Sequence, residues 1–132
     1  MVGNKIAERD EARAEAWRAS QRDYEIALMT LATAHTGCLD IAANLRALNR
    51  KVSVEFSASS QDNAVVIRVG ERIRVRDVSV SYRAATCSLD VRSTRFDAHL
   101  PSLAIPRNPQ DAMATAKKIV ELIAKEIELL ID

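Results

Sequence analysis

The segment from Lys51 to Arg95 carries the strongest indication of the fold, and it reads KVSVEFSASSQDNAVVIRVGERIRVRDVSVSYRAATCSLDVRSTR. Apolar and polar residues alternate in it over several short runs, which is the pattern of strands with one buried face and one wet face. Polar stretches of the kind that forms loops separate these runs. We therefore expect about four antiparallel strands within residues 51–95.

Two details of this segment predict local backbone features. Gly70-Glu71 suits a two-residue hairpin turn with glycine at the first central position. The apolar residues change parity between Val75 and Val78, so we expect one extra residue near Asp77, as a β-bulge or a short turn.

The alternation assigns the strand residues to two faces. The inner face is expected to hold Val52, Val54, Phe56, Val65, Ile67, Val69, Ile73, Val75, Val78, Val80, Leu89 and Val91. The outer face is expected to hold Ser53, Glu55, Arg68, Arg72, Arg74, Arg76, Ser79, Ser81, Arg83, Ser88, Asp90 and Arg92.

The region before the strands, residues 5–49, is predicted to be helical because it lacks proline and is rich in alanine. Apolar side chains recur in it every seven residues, at Trp17, Tyr24, Leu31, Cys38 and Leu45, which is typical of a coiled-coil seam. Gly37 interrupts the helix-forming composition and suits a C-terminal cap. We expect a break or bend near Gly37, with one long continuous helix as the alternative.

The region after the strands is a proline-containing connector, residues 96–107, followed by a C-terminal helix, residues 109–131. Asn108 and Pro109 suit the N-cap and the first helical position, and Asp111 favours the helix dipole. The order of elements predicts one α+β domain over residues 1–132. Both helices would pack on one face of the antiparallel sheet.

Composition limits the classes of function. The formal net charge is +1, and the three glycines include no phosphate-binding loop. The two cysteines are far apart and outside any metal-binding spacing, and with only two histidines the chain does not predict a metal site; we expect no cofactor. No secretory signal and no continuous apolar run of membrane-spanning length is recognisable, so we expect a cytoplasmic protein with reduced thiols and no membrane partner.

The arginines of the middle segment are the first candidate site. Residues 50–107 carry ten basic and six acidic side chains, a net of +4. The arginines predicted to bind an anion are Arg68, Arg72, Arg74, Arg76, Arg83 and Arg92. A row of guanidinium groups grips phosphate well, so nucleic acid or a phosphorylated small molecule is the expected ligand. The alternative is an ordinary solvated face, partly neutralised by Glu55, Glu71 and Asp90.

The second candidate is a surface for self-association or for a protein partner. The residues predicted for it are Trp17, Tyr24 and Leu31, because the first half of the helical region has little else to offer a core. We expect a dimer or larger oligomer. A rival function is a protein–protein interaction module, such as an adaptor, chaperone or inhibitor from a mobile element, acting through exposed apolar helix surface.

An imidazole, a thiol and a carboxylate also come close together in sequence, at His35, Cys38 and Asp40. Nucleophilic catalysis by cysteine needs a thiolate beside an oriented base. Cys38 falls on the apolar seam, where a cysteine acts as a small apolar residue. We therefore expect a structural role for Cys38 and predict no catalytic residue.

Overall fold

The computed structural model describes residues 2–71, 76–95, 98 and 100–131, and the side chains from Gly3 onwards. Its elements are α1 (Val2–Ala47), β1 (Ser53–Ser59), β2 (Ala64–Glu71), β3 (Arg76–Arg83), β4 (Ser88–Ser93), β5 (Ser102–Ala104) and α2 (Pro109–Ile131). The strands form one antiparallel sheet in the order β1-β2-β3-β4-β5. The predicted α+β architecture is confirmed, with a fifth strand beyond the four expected.

Helix α1 runs unbroken through Gly37, so the expected break at this residue is wrong. Gly37 instead lies where the two helices approach each other closely. A Cβ atom at position 37 would lie 2.7 Å from Cγ2 of Val120 on α2. Glycine is therefore present because α2 packs against this point of α1, and the helix tolerates it because neighbouring turns are packed.

The additional strand β5 comes from the segment predicted as a connector. Leu89 on β4 pairs with Leu103 at its centre. The strand is three residues long and follows directly on Pro101, so its apolar alternation is too short to be recognised in the sequence.

The predicted turn at Gly70-Glu71 is wrong, because both residues belong to β2. Gly70 pairs with Asp77 and Glu71 pairs with Arg76, in a register that runs without a bulge from Arg76 to Ser81. Gly70 is needed for a close approach, since a Cβ atom there would lie 2.2 Å from the carbonyl oxygen of Arg76. The predicted inner residues Ile73 and Val75 lie outside the described residues.

The core lies between the sheet and the two helices. Its sheet side is formed by Val52, Val65, Ile67, Val69, Val78, Val80, Tyr82, Leu89 and Val91, all at most 6 % exposed. Val54 and Phe56, also predicted for this face, lie on the edge strand β1 and are half-buried. Helix α1 contributes Tyr24, Ala27, Leu31, Ala34, Cys38 and Ala42, and α2 contributes Ala116, Ile119, Ile123, Ile127, Leu130 and Ile131.

Helix α2 has the predicted limits and is capped at both ends. At its start, Oδ1 of Asn108 accepts a hydrogen bond from the backbone N–H of Asp111 at 2.8 Å. At its end, the guanidinium of Arg76 donates to the carbonyl oxygen of Leu130 at 3.2 Å, and Arg50 donates to the carbonyl oxygen of Ile131. Cationic side chains at this end also complement the helix dipole.

Helix α1 extends well beyond the sheet. Its 46 residues correspond to roughly 69 Å at ~1.5 Å per residue, whereas an eight-residue strand spans only about 26 Å. Every side chain from Gly3 to Arg18 is exposed, apart from the half-buried Ala14. We call residues 3–18 the N-terminal arm. It is about 24 Å long at ~1.5 Å per residue.

One described helix segment, Gly3–Ala47, is long and apolar enough by length and composition to cross a membrane. Its most apolar window has a mean hydropathy of 1.4, and 33 % of that window is buried. This stretch was not recognised as a span in the sequence. The core helix of a soluble protein passes the same test, and Leu31, Ala34 and Cys38 of α1 pack fully buried in the domain core. The absence of a membrane partner stays a prediction.

Candidate functional site

The six arginines predicted to bind an anion fall into three groups in the structure. Arg68, Arg83 and Arg92 lie on the outer face of the sheet and are well exposed. Arg76 lies on the inner side, and Arg72 and Arg74 lie outside the described residues. The continuous row expected from the sequence is therefore not assembled by the described residues.

The predicted outer position of Arg76 is wrong, because the prediction placed a bulge near Asp77 that the structure does not have. Since β3 begins at Arg76 without a bulge, Arg76 shares its face with Val78 and Val80. Its guanidinium reaches the end of α2 and donates to the carbonyl oxygen of Leu130. Its role is therefore to cap a helix in the folded domain.

Each of the three outward arginines has an aspartate beside it. Nε of Arg92 lies 2.8 Å, and Nε of Arg83 lies 3.3 Å, from the same oxygen, Oδ2 of Asp90. Nε of Arg68 lies 3.8 Å from Oδ2 of Asp77. These are exposed ion pairs of small individual energy, but they turn the guanidinium groups towards acidic neighbours.

The described strand residues of the outer face are balanced in charge. Three arginines stand against three carboxylates, namely Glu55, Asp77 and Asp90. Arg68 and Arg92 are also two strands apart with Ser79 between them, which is about 9.6 Å at ~4.8 Å per strand. This spacing and this neutralisation do not favour a concentrated anion site. Anion binding by this face stays a prediction.

The three residues predicted for self-association do not share one surface. Tyr24 is 7 % exposed and Leu31 is completely buried, so both belong to the core of their own chain and their assignment to an interface is wrong. Trp17 is 66 % exposed and lies about two turns before Tyr24, where the packed part of α1 begins. Of the three residues predicted for the interface, Trp17 is the exposed one.

The N-terminal arm carries Trp17 and a second large exposed apolar side chain, Ile6, at 53 %. Its charged residues are four bases and four acids, Lys5, Arg9, Arg13, Arg18, Glu8, Asp10, Glu11 and Glu15. No ion pair within the described residues links the arm to the rest of the fold. The arm is thus a neutral, mixed-charge helix with two large exposed apolar side chains.

The trio His35, Cys38 and Asp40 does not form a nucleophilic site. Cys38 is completely buried, and burial raises the pKa of its thiol to about 12. The imidazole of His35 stacks on Phe56, with ring centroids 5.2 Å apart, and Asp40 is exposed on another side of the helix. These positions support the expected structural role of Cys38. The other thiol, Cys87, is exposed, and its hydrogen bond to Asp23 raises its pKa.

A buried carboxylate on α2 was not recognised in the sequence. Glu126 is 3 % exposed, and Arg95 holds it with Nε–Oε1 and Nη2–Oε2 distances of 2.7 and 3.1 Å. Ser93 donates to Oε1 at 2.8 Å. Hydrogen bonding from Arg95 lowers the pKa of Glu126 despite its burial. Because both carboxylate oxygens are satisfied from within the chain, this cluster joins α2 to the end of β4 and leaves no open ligand position.

A cleft at the β5 edge of the sheet was also missed. It is open, has a volume of about 390 Å³, and lies between β5 and the exposed side of α2. Its lining is Pro101, Leu103, Lys118, Glu121, Leu122 and Lys125. The helices make most of their sheet contacts with β1, β2 and β3, so this cleft lies beside the part of the sheet that they cover least. No signal in the sequence predicts it, because β5 itself was not predicted.

Comparisons with protein-family models, with curated proteins and with solved structures gave no match to this chain. The function has therefore to be argued from the residues and their geometry.

Proposed function

We propose that this protein is a non-enzymatic, self-associating interaction module whose N-terminal arm contacts a second chain. The observation that supports this proposal is the arm itself, which is helical over residues 3–18 yet has every side chain exposed apart from the half-buried Ala14. Helices of this length are marginal in water without packing or a nucleated continuation. A projecting arm with exposed apolar anchors gains stability when another protein surface covers it.

Trp17 is the main anchor in this proposal. Tryptophan is enriched among the few residues that dominate binding energy at interfaces, because its large side chain fills a pocket with little loss of rotamer entropy. Its 66 % exposed fraction means that most of its surface is available to a partner. The open surface around it is completed by Arg18, Gln21, Arg22 and Glu25, which supply a polar rim.

A second copy of the same chain is the partner that the charge pattern favours. The arm carries four bases and four acids, so it has no net charge that selects an acidic or a basic partner. Two arms and two domains of this composition do not repel each other over long range, and homodimers are the commonest protein oligomers.

The test is the mass of the protein in solution, measured by light scattering on a sizing column over a range of concentrations. We expect the complete chain to be a dimer or larger, and a variant that lacks residues 3–18 to be a monomer with unchanged far-ultraviolet circular dichroism per residue of the remaining fold. An unchanged oligomer after this deletion, or a monomeric complete chain at every concentration, would contradict the proposal.

A point variant with a matched control sharpens this test. Trp17→Ala is expected to weaken self-association by at least tenfold, which is about 1.4 kcal/mol. Met113→Ala removes an apolar side chain of nearly the same exposed fraction, 65 %, from the first turns of α2. We expect Met113→Ala to leave the association constant unchanged. Equal effects of the two variants would mean that general apolar exposure, and not the arm, drives association.

A further inference from the structure

We infer that the arm of a second copy docks, antiparallel to α2, in the cleft between β5 and α2. This inference rests on the proposed function and names the surface that receives the arm. The cleft has an apolar floor of Pro101, Leu103 and Leu122 and charged walls. It therefore suits an amphipathic helix with mixed charge.

The occupant has to come from another chain. Gly37 of α1 lies against Val120 of α2, and Arg50, just beyond the end of α1, donates to the last turn of α2 at Ile131. These two contacts show that α1 and α2 run in the same direction. Because α1 is one continuous helix, its arm projects away past the start of the packed region and cannot fold back onto its own α2.

The facing stripes match in chemistry when the two helices run antiparallel. The exposed stripe of the arm is Ile6, Asp10, Arg13 and Trp17. On α2, Lys118, Leu122 and Lys125 line the cleft, and the exposed Leu129 continues their stripe one turn further along the helix. In both stripes successive residues are four, three and four positions apart, which is the spacing of any helix face. The spacing alone therefore does not select a register, and the pairs of residues that each register brings opposite each other have to be compared.

In the antiparallel register Ile6 faces Leu129, and both are about half exposed in the single chain, at 53 % and 52 %. Asp10 faces Lys125, an exposed pair of opposite charge. At the other end of the stripe Trp17 faces Lys118, whose ammonium group and aliphatic stem both pack well against an indole ring.

The fourth position also fits the antiparallel register. Arg13 faces Leu122, with Glu121 beside it on the wall of the cleft, so its aliphatic stem lies on the leucine while its guanidinium meets a carboxylate. No ion pair within the described residues involves Asp10, Arg13, Lys118 or Lys125, so these charges are available to a second chain.

The parallel register is unfavourable by comparison. It brings Arg13 opposite Lys125 and places Asp10 beside Glu121, which juxtaposes like charges at both inner positions. It also shifts the second copy along the helix axis, so that the contact repeats without closing. Antiparallel docking is compatible with a two-fold axis across the helices, and each arm then occupies the cleft of the other copy in a closed dimer.

A charge exchange tests the docking. Asp10→Lys and Lys125→Glu each place like charges opposite each other, and we expect each variant to weaken dimerisation by about tenfold, or ~1.4 kcal/mol. The double variant Asp10→Lys/Lys125→Glu restores opposite charges and is expected to recover most of the affinity. The controls Glu11→Lys and Lys117→Glu make the same changes off the two stripes and should leave the dissociation constant unchanged.

A disulfide test reads the orientation directly. In a Cys87→Ser background, which removes the exposed native thiol, the pair Ile6→Cys/Leu129→Cys should form an intermolecular disulfide, since the two positions face each other. The pair Ile6→Cys/Lys118→Cys, which would meet only in the parallel register, should remain reduced. Thermal unfolding of each variant checks that the fold is retained.

The outcomes separate this inference from the proposed function. If the chain lacking residues 3–18 is monomeric but the charge variants dimerise normally and the Ile6–Leu129 disulfide does not form, the cleft is overturned as the receiving surface while the arm keeps its role. If deletion of the arm leaves the oligomer intact, both proposals are overturned. Recovery of dimerisation in the double charge variant, together with the Ile6–Leu129 disulfide, supports the docking as stated.

Discussion

Helix α2 buries one side along nearly its whole length, from Ala112 to Ile131, whereas α1 does so only from Tyr24 to Ala42. Both are amphipathic where they are packed. Helix α2 is also capped at both ends, by Asn108 at its start and by Arg50 and Arg76 at its end. The arm of α1 has none of this support, although its alanines and charges make it a good helix former.

The two helices therefore differ in which of their residues stabilise the fold and which can contact a partner. Residues that close the core are fixed by their own chain and have no surface to offer a partner. The arm contributes little to that core, so its sequence is free to serve another contact. The two helices therefore predict opposite responses to the same kind of substitution, and these responses can be measured.

The largest expected contrast is between Leu31 and Trp17 of α1. Leu31→Ala empties a fully buried position and should lower the free energy of unfolding by about 3 kcal/mol. Trp17→Ala removes a larger side chain that is 66 % exposed, and should change that free energy by less than about 0.5 kcal/mol. Urea denaturation, followed at concentrations where the chain is monomeric, measures both. A loss with Trp17→Ala as large as that with Leu31→Ala would mean that the arm is packed within its own chain.

The next largest effect concerns the buried charge on α2, which has no counterpart in the core part of α1. Glu126→Ala leaves Arg95 without its carboxylate, and we expect a loss of about 2 kcal/mol in the free energy of unfolding. This is less than the ~3–5 kcal/mol of fully buried pairs, because the Arg95 side chain is 31 % exposed and can turn to water. Substitution of the exposed Glu128 by alanine is the matched control, and it should have almost no effect.

The same carboxylate predicts a dependence on pH. The pKa of Glu126 is lower in the folded chain than its ordinary value, mainly because Arg95 donates to it. The unfolded chain therefore takes up the proton first, and the stabilisation is complete above the ordinary glutamate pKa of about 4.3. It is lost as the pH falls through the lower, folded pKa. The stability difference between the natural chain and Glu126→Gln should shrink over that acidic range and stay constant near neutral pH.

The sequence predicts most of the layer arrangement because burial follows the periodicity of the apolar residues. The limits of α2, its Asn108 cap and the inner position of residues such as Ile67 and Val80 are all readable in this way. A carboxylate at position 126, among Ile119, Ile123 and Leu130 on the apolar stripe, was a further signal that a cationic partner must exist. The pattern of one helix cannot name that partner, because Arg95 comes from another element.

The candidate site was harder to predict because a shift of one residue in a strand boundary changes the face on which its side chains lie. Moving the start of β3 to Arg76 without a bulge transfers this arginine from the outer face to the end of α2. The β5 cleft depends on a three-residue strand beside a proline. Trp17 and Leu31 have the same heptad phase, and only the extent of the sheet decides which of them is buried.

The contact between Gly37 of α1 and Val120 of α2 gives the prediction with the smallest expected change in the free energy of unfolding. Alanine there should favour the helix by about 1 kcal/mol, but its Cβ would lie 2.7 Å from Cγ2 of Val120. We expect the clash to prevail, so that Gly37→Ala destabilises the natural chain by about 1 kcal/mol. In a Val120→Ala background the clash disappears, and the same substitution should stabilise the fold by up to about 1 kcal/mol. The natural chain, the two single variants and the double variant, compared by urea denaturation, give this change of sign as a coupling energy. If the substitution has the same sign in both backgrounds, α2 does not cross α1 at Gly37. The Gly37–Val120 contact would then no longer support the conclusion that the two helices run in the same direction.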